Sequence, residues 1–68
     1  MRLSARNQFM GKIIDVKKGA TTAHVRIDIG GNIVTASITN ESADDLKLEA
    51  GKRAYAIIKA SNVMVGVD

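Results

Sequence analysis

The 68 residues contain no cysteine and no proline, one histidine (His24) and two aromatics, Phe9 and Tyr55. Without cysteine there is no disulfide, no catalytic thiolate, no zinc ribbon and no iron–sulfur ligation. A single His leaves no nitrogen cluster for zinc or copper, so no metal cation is expected. With no proline and no low-complexity tract, nothing reads as a linker. Two aromatics force the core to be aliphatic. No continuous apolar stretch follows the opening Met1-Arg2-Leu3-Ser4-Ala5-Arg6-Asn7-Gln8. The start therefore reads as neither a signal peptide nor a membrane span, and a cytoplasmic protein is expected. Asn40-Glu41-Ser42 matches the glycosylation sequon but lacks the secretory route the sequon needs.

Hydrophobic residues make up 46% and charged residues 25%, a balance that folds rather than staying disordered. The length suits one domain, residues 1–68. A domain of this size hides only about 60% of its unfolded surface, so self-association is the expected reinforcement once disulfides and metals are excluded. Ten Lys+Arg against seven Asp+Glu leave a net charge of +3, which favours an anionic partner.

Phe9 to Val16 is rich in strand formers and is closed by Lys17-Lys18-Gly19, giving a first strand. Ala23, Val25, Ile27 and Ile29 then alternate with Thr22, His24, Arg26 and Asp28, the period-2 pattern of a sheet with one wet face. Gly30-Gly31-Asn32 separates this strand from Ile33–Thr39, and the pair predicts a hairpin. Asn40 is placed to cap a short helix through Ala43-Asp44-Asp45-Leu46. A turn over Leu48–Lys52, a fourth strand over Arg53–Lys59 and a fifth over Asn62–Val67 complete the pattern. The expected fold is all-β: an OB-like five-stranded barrel with one short helix between strands three and four.

Enzymatic chemistry needs a nucleophile with a base, a carboxylate pair on facing strands, or a metal, and none is arranged here. His24 falls on the wet face of a strand. Asp44-Asp45 sits at a helix start, where it offsets the helix dipole. Gly51-Lys52 lacks the remainder of a phosphate-binding loop. The chain is therefore read as a non-enzyme with no catalytic cofactor. An OB-type nucleic-acid module is the alternative, but such surfaces stack bases on aromatics within a basic groove, and the charges here are scattered. A membrane partner has no signal.

Small-anion binding rests on two donor-rich segments. Ser4-Ala5-Arg6-Asn7-Gln8 offers a hydroxyl, a guanidinium and two amides, and Lys59-Ala60-Ser61-Asn62 an ammonium, a hydroxyl and an amide. Ala5 and Ala60 allow close backbone approach, so N–H groups can join the side chains around an oxyanion. On composition alone, solvated loops are the favoured reading of the same stretches, because donor-rich stretches are common in loops.

These two segments, with Gly11-Lys12 after the first and Val63-Met64 after the second, resemble the molbindins, the small stand-alone Mop domains that bind molybdate. Lys17-Lys18-Gly19, Ile38-Thr39 before Ser42, and the Leu46–Gly51 turn are similar too, so the resemblance spans essentially the whole chain. It implies an OB-like fold with strands exchanged between protomers and a homohexamer built as a trimer of dimers. It also implies cytoplasmic storage and homeostasis of molybdate or tungstate, with the anions held at subunit interfaces. The oxyanion-binding residues it implies are Ser4, Ala5, Arg6, Thr39, Lys59, Ala60 and Ser61. A second oxyanion site maps onto Gly19, Ala20 and Thr21, where some relatives carry valines. The mapped side chains and local N–H groups suit a tetrahedral dianion whose oxygens only accept hydrogen bonds. The sequence leaves open whether one protomer brings both donor segments together or borrows one from a neighbour.

Overall fold

A computed structural model describes Met1–Asp68. Four strands, β1 (Asn7–Lys18), β2 (Thr22–Asp28), β3 (Ile33–Thr39) and β4 (Arg53–Ile58), are joined by a six-residue helix α1 (Asn40–Asp45) between β3 and β4. They form one antiparallel sheet in the order β3-β2-β1-β4. The twelve-residue β1 is shared. Asn7–Lys12 pairs with β4, Lys12–Lys18 pairs with β2, and Lys12 faces Asp28 on one side and Arg53 on the other. The sheet curls enough to bring β2 and β4 into contact although β1 lies between them. Two features of β1 produce that curl. Ile14 is an extra residue between the Ile13↔Ile27 and Asp15↔Arg26 pairs, a bulge that bends the strand. Gly11 passes so close to β2 that a Cβ there would lie 2.3 Å from the Asp28 carbonyl oxygen, so only glycine fits.

The concave side carries the core, which is aliphatic as composition requires. Ile13, Val25, Ile27 and Ala56 are buried, with Val16, Ile29, Val34, Ala36, Ile38, Leu48 and Ala54 packed around them. Only six residues in the chain are buried, as expected of a thin core. The β2–β3 hairpin turns through Gly30 (φ 109°) and Gly31 (φ 100°), whose N–H groups both donate to Asp28 Oδ1 at 2.9 Å.

Three expectations are corrected. The fifth strand does not form within the single chain: residues 63–68 carry no regular structure, and Met64, Val65 and Val67 are more than 90% exposed. The alternating valines of a strand are present, but a strand needs a neighbour, and no edge of this chain's own sheet takes them. Lys59 lies outside β4, because a 3-10 turn over Ala60–Asn62 follows at once. The helix cap is Thr39, whose Oγ1 accepts from the Ser42 N–H at 3.0 Å, while Asn40 is already helical. The helix ends with Lys47 in the left-handed region (φ 53°), as Lys47 N–H donates to Asp44 O and Leu48 N–H to Ala43 O.

Two carboxylates on the outer surface respond to acid. The Arg26 guanidinium donates to both oxygens of Asp15, and this hydrogen bonding holds the Asp15 carboxyl below its ordinary value. The N–H groups of Gly31 and Gly30 lower Asp28 in the same way. A depressed folded-state pKa contributes stability that is present above the unfolded value, about 4, and lost as pH falls through the folded value. Both groups are exposed, so the contribution is small. Thermal melts between about pH 5 and pH 2 should show a falling midpoint, with a shallower slope in Asp15→Asn. Equal slopes for the two proteins would show that this pair does not contribute.

Candidate functional site

A cleft of about 640 Å³ opens where the start of the chain crosses the end of β4, and Ser4, Ala5, Arg6, Ile57, Lys59, Ala60, Ser61 and Asn62 line it. Both donor-rich segments therefore meet within one chain. Local hydrogen bonds explain why. Asn7 starts β1 opposite Ile58, and its Nδ2 donates to the Ile58 carbonyl at 3.1 Å, fastening the opening arm to the end of β4. Gln8 Nε2 donates to the Ala5 carbonyl at 2.8 Å. After β4, Asn62 N–H donates to Lys59 O at 2.9 Å and Val63 N–H to Ala60 O at 3.2 Å, closing the 3-10 turn.

These bonds sort the polar groups. The amides of Asn7 and Gln8, candidates for ligand contact by composition, are engaged within the chain. The carbonyls of Ala5, Ile58, Lys59 and Ala60 each accept a hydrogen bond within the chain. The side chains of Ser4, Arg6, Lys59 and Ser61 have no partner within the chain and remain available as donors. No carboxylate lines the cleft. Two full positive charges and two hydroxyls around a hollow with no carboxylate can hold a small anion. The hollow is open, and Ser4, Arg6, Lys59 and Ser61 are all exposed.

Thr39 is not part of this cleft. It ends β3 opposite Thr22, beside the Lys18 end of β1, whereas the cleft lies at the Asn7 end of that twelve-residue strand. Its Oγ1 also donates to Ser42 Oγ at 2.8 Å. Ser42 is absent from the sequence-derived set, and the signal for it was the three-residue spacing from Thr39 across a helix start. The turn Gly19-Ala20-Thr21 lies beside this hydroxyl pair. Asn40 N–H donates to Thr21 O at 2.8 Å and Asn40 Nδ2 to Gly19 O at 2.9 Å. Lys18 is ion-paired with Asp44 of α1. One chain thus carries two separate donor-bearing regions at opposite ends of β1.

Residues 3–65 match the TOBE domain family. The chain belongs to the TOBE-domain family. This TOBE domain is 49% identical over 69 residues to a probable molybdenum-pterin-binding protein of Haemophilus influenzae, with both chains covered in full. Its fold superposes on MopII from Clostridium pasteurianum with a TM-score of 0.91 at 39% identity, covering 97% of this chain and 100% of the other. A molybdate-binding protein from Sporomusa ovata superposes with a TM-score of 0.93 at 31% identity, covering 98% and 100%. The resemblance to stand-alone Mop domains therefore holds along the whole chain, as does the OB-like all-β class with its short helix between the third and fourth strands. No helix in this TOBE domain is long and apolar enough to cross a membrane.

Proposed function

We propose that this single-domain protein, residues 1–68, binds molybdate or tungstate in the cytoplasm for storage and homeostasis, without catalysing a reaction. The observation that carries the reading is the meeting of Ser4-Ala5-Arg6 with Lys59-Ala60-Ser61 in one cleft that holds no carboxylate. The names of similar proteins support molybdate. Thr39 joins this site from a second chain, because within one chain it lies at the far end of β1. A second copy also supplies the closure that the open cleft lacks, strengthening each charge-assisted hydrogen bond by excluding water. Gly19-Ala20-Thr21 forms the second oxyanion site. The proposed assembly is a homohexamer of strand-exchanged dimers in which the tail after Asn62 supplies the missing fifth strand to a neighbour. Calorimetric titration with molybdate, together with elemental analysis of the purified protein for Mo and W, tests the reading. A protein that carries neither element and releases no heat on titration would overturn it.

Two alternative ligands fit less well. A pterin presents an edge of N–H donors and a flat ring, so its site needs carboxylate or carbonyl acceptors and an aromatic or apolar slot. The cleft has no carboxylate and no aromatic. Single-stranded nucleic acid needs a run of stacking rings. Phe9 pairs with Ala56 and Tyr55 with Met10, so the two rings occupy successive register positions and emerge on opposite faces of the β1–β4 ladder.

Selectivity follows from the donor set. Phosphate at neutral pH retains a proton that needs an acceptor, whereas molybdate, tungstate and sulfate only accept. The cleft has no carboxylate to take that proton, and leaving it unmatched costs about 1–3 kcal/mol. Sulfate meets the charge requirement but is smaller and cannot reach every donor of a rigid site. The expected order is molybdate equal to tungstate, then sulfate, then phosphate. Displacement of molybdate by equimolar phosphate in a competition titration would refute this selectivity.

A further inference from the structure

Asn40 Oδ1 is the one side-chain polar atom in the chain that is shielded from solvent without a hydrogen-bond partner. Turning the amide over would not relieve it. That would set Oδ1 against the Gly19 carbonyl, oxygen to oxygen, and leave the NH2 group without an acceptor. The orientation is therefore imposed by the Nδ2–Gly19 O bond of 2.9 Å, and the chain tolerates an orphaned acceptor to keep it. The same residue donates its backbone N–H to Thr21 O at 2.8 Å. Two carbonyls of the three-residue turn are thus drawn toward α1 by a single residue.

The consequence lies in the N–H groups. A trans peptide points its carbonyl and the following N–H in opposite directions, and the chain has no cis peptide. A Gly19 carbonyl held against Asn40 therefore turns the Ala20 N–H away from the helix, toward solvent. Neither the Ala20 nor the Thr21 N–H donates to any group in the chain. Gly19 itself is confined, since a Cβ there would lie 3.1 Å from Thr22 O. A free Gly19 carbonyl would instead leave an acceptor at the turn, repelling an anion.

We propose that Asn40 is the positioning residue of the second oxyanion site: it ties back the carbonyls of Gly19 and Thr21, so that the turn presents backbone donors and no free acceptor from those two residues to a tetrahedral dianion. The role rests on reading Gly19–Thr21 as that site. Wild type, Asn40→Ala and Asn40→Asp are titrated with molybdate by calorimetry and by amide NMR following Ala20 and Thr21. Asn40→Asp keeps the shape of the side chain and its backbone N–H but places an oxygen against Gly19 O, so it serves if the alanine variant folds poorly. The expected result is a second class of sites weakened at least roughly tenfold and an Ala20 amide that no longer shifts, while binding at the Arg6–Lys59 cleft stays within about twofold. Undiminished second-class binding in Asn40→Asp, with the wild-type Ala20 shift, would overturn the role of Asn40. A wild-type protein whose first class saturates while Ala20 and Thr21 stay still would remove the second site itself, and the proposal with it.

Discussion

Replacing Arg6 or Lys59 by alanine is expected to weaken molybdate binding about tenfold to a hundredfold while leaving the fold intact. Each change removes a charge-assisted donor, and such bonds typically contribute ~1.5–3 kcal/mol. The fold is expected to survive because neither side chain is buried or hydrogen-bonded within the chain, and the bonds that shape the cleft run through Asn7, Gln8 and the backbone of the 3-10 turn. Asn7→Ala should do the reverse: it releases the arm from Ile58 and loosens the cleft without touching an anion. Calorimetry combined with circular dichroism separates the two. Wild-type affinity in both Arg6→Ala and Lys59→Ala would exclude them from the site.

Replacing Val63, Val65 and Val67 together by serine should abolish assembly. In a single chain Val65 and Val67 are more than 90% exposed and Val63 about half exposed, an alternating apolar set with no partner. The chain also leaves an apolar hollow of about 380 Å³ uncovered on its concave side, lined by Val25, Ile27, Ala36, Ile38, Leu48 and Tyr55 among others. Burying one valine fully contributes about 1.5–3 kcal/mol, so three of them in each exchanged segment exceed what a core of six buried residues can forgo. Light scattering at micromolar concentration should give a hexamer for the wild type and smaller species or aggregate for the variant. A compact wild-type monomer would refute the assembly.

Alternation along the chain was enough to place β2, β3 and their glycine turn, because each strand has one wet face and period-2 patterning is unambiguous there. It was not enough for residues 62–67. Val63, Val65 and Val67 satisfy the same pattern, yet a strand is defined by its neighbour, and sequence reports the side chains without the edge they pair to. The bend of β1 was equally hidden. Gly11 and Ile14 look unremarkable in a strand, and their effect arises only from the close pass of Asp28 and the shifted register with β2.

The same division runs through the candidate site. Residue types alone determined that the core is aliphatic, that thiol and zinc chemistry are excluded, and that the two donor-rich segments suit an anion, because these depend on functional groups and not on position. Tertiary structure decided that Ser4–Arg6 and Lys59–Ser61 share one cleft, since the Asn7↔Ile58 pairing joins residues 51 apart in sequence. It also decided that Thr39 stands at the far end of β1, and that Asn7, Gln8 and Asn40 hold backbone carbonyls of the chain. A hydrogen-bonding group cannot declare its partner from sequence; whether an amide serves a ligand or its own chain depends on which acceptor the fold brings within 3 Å or so.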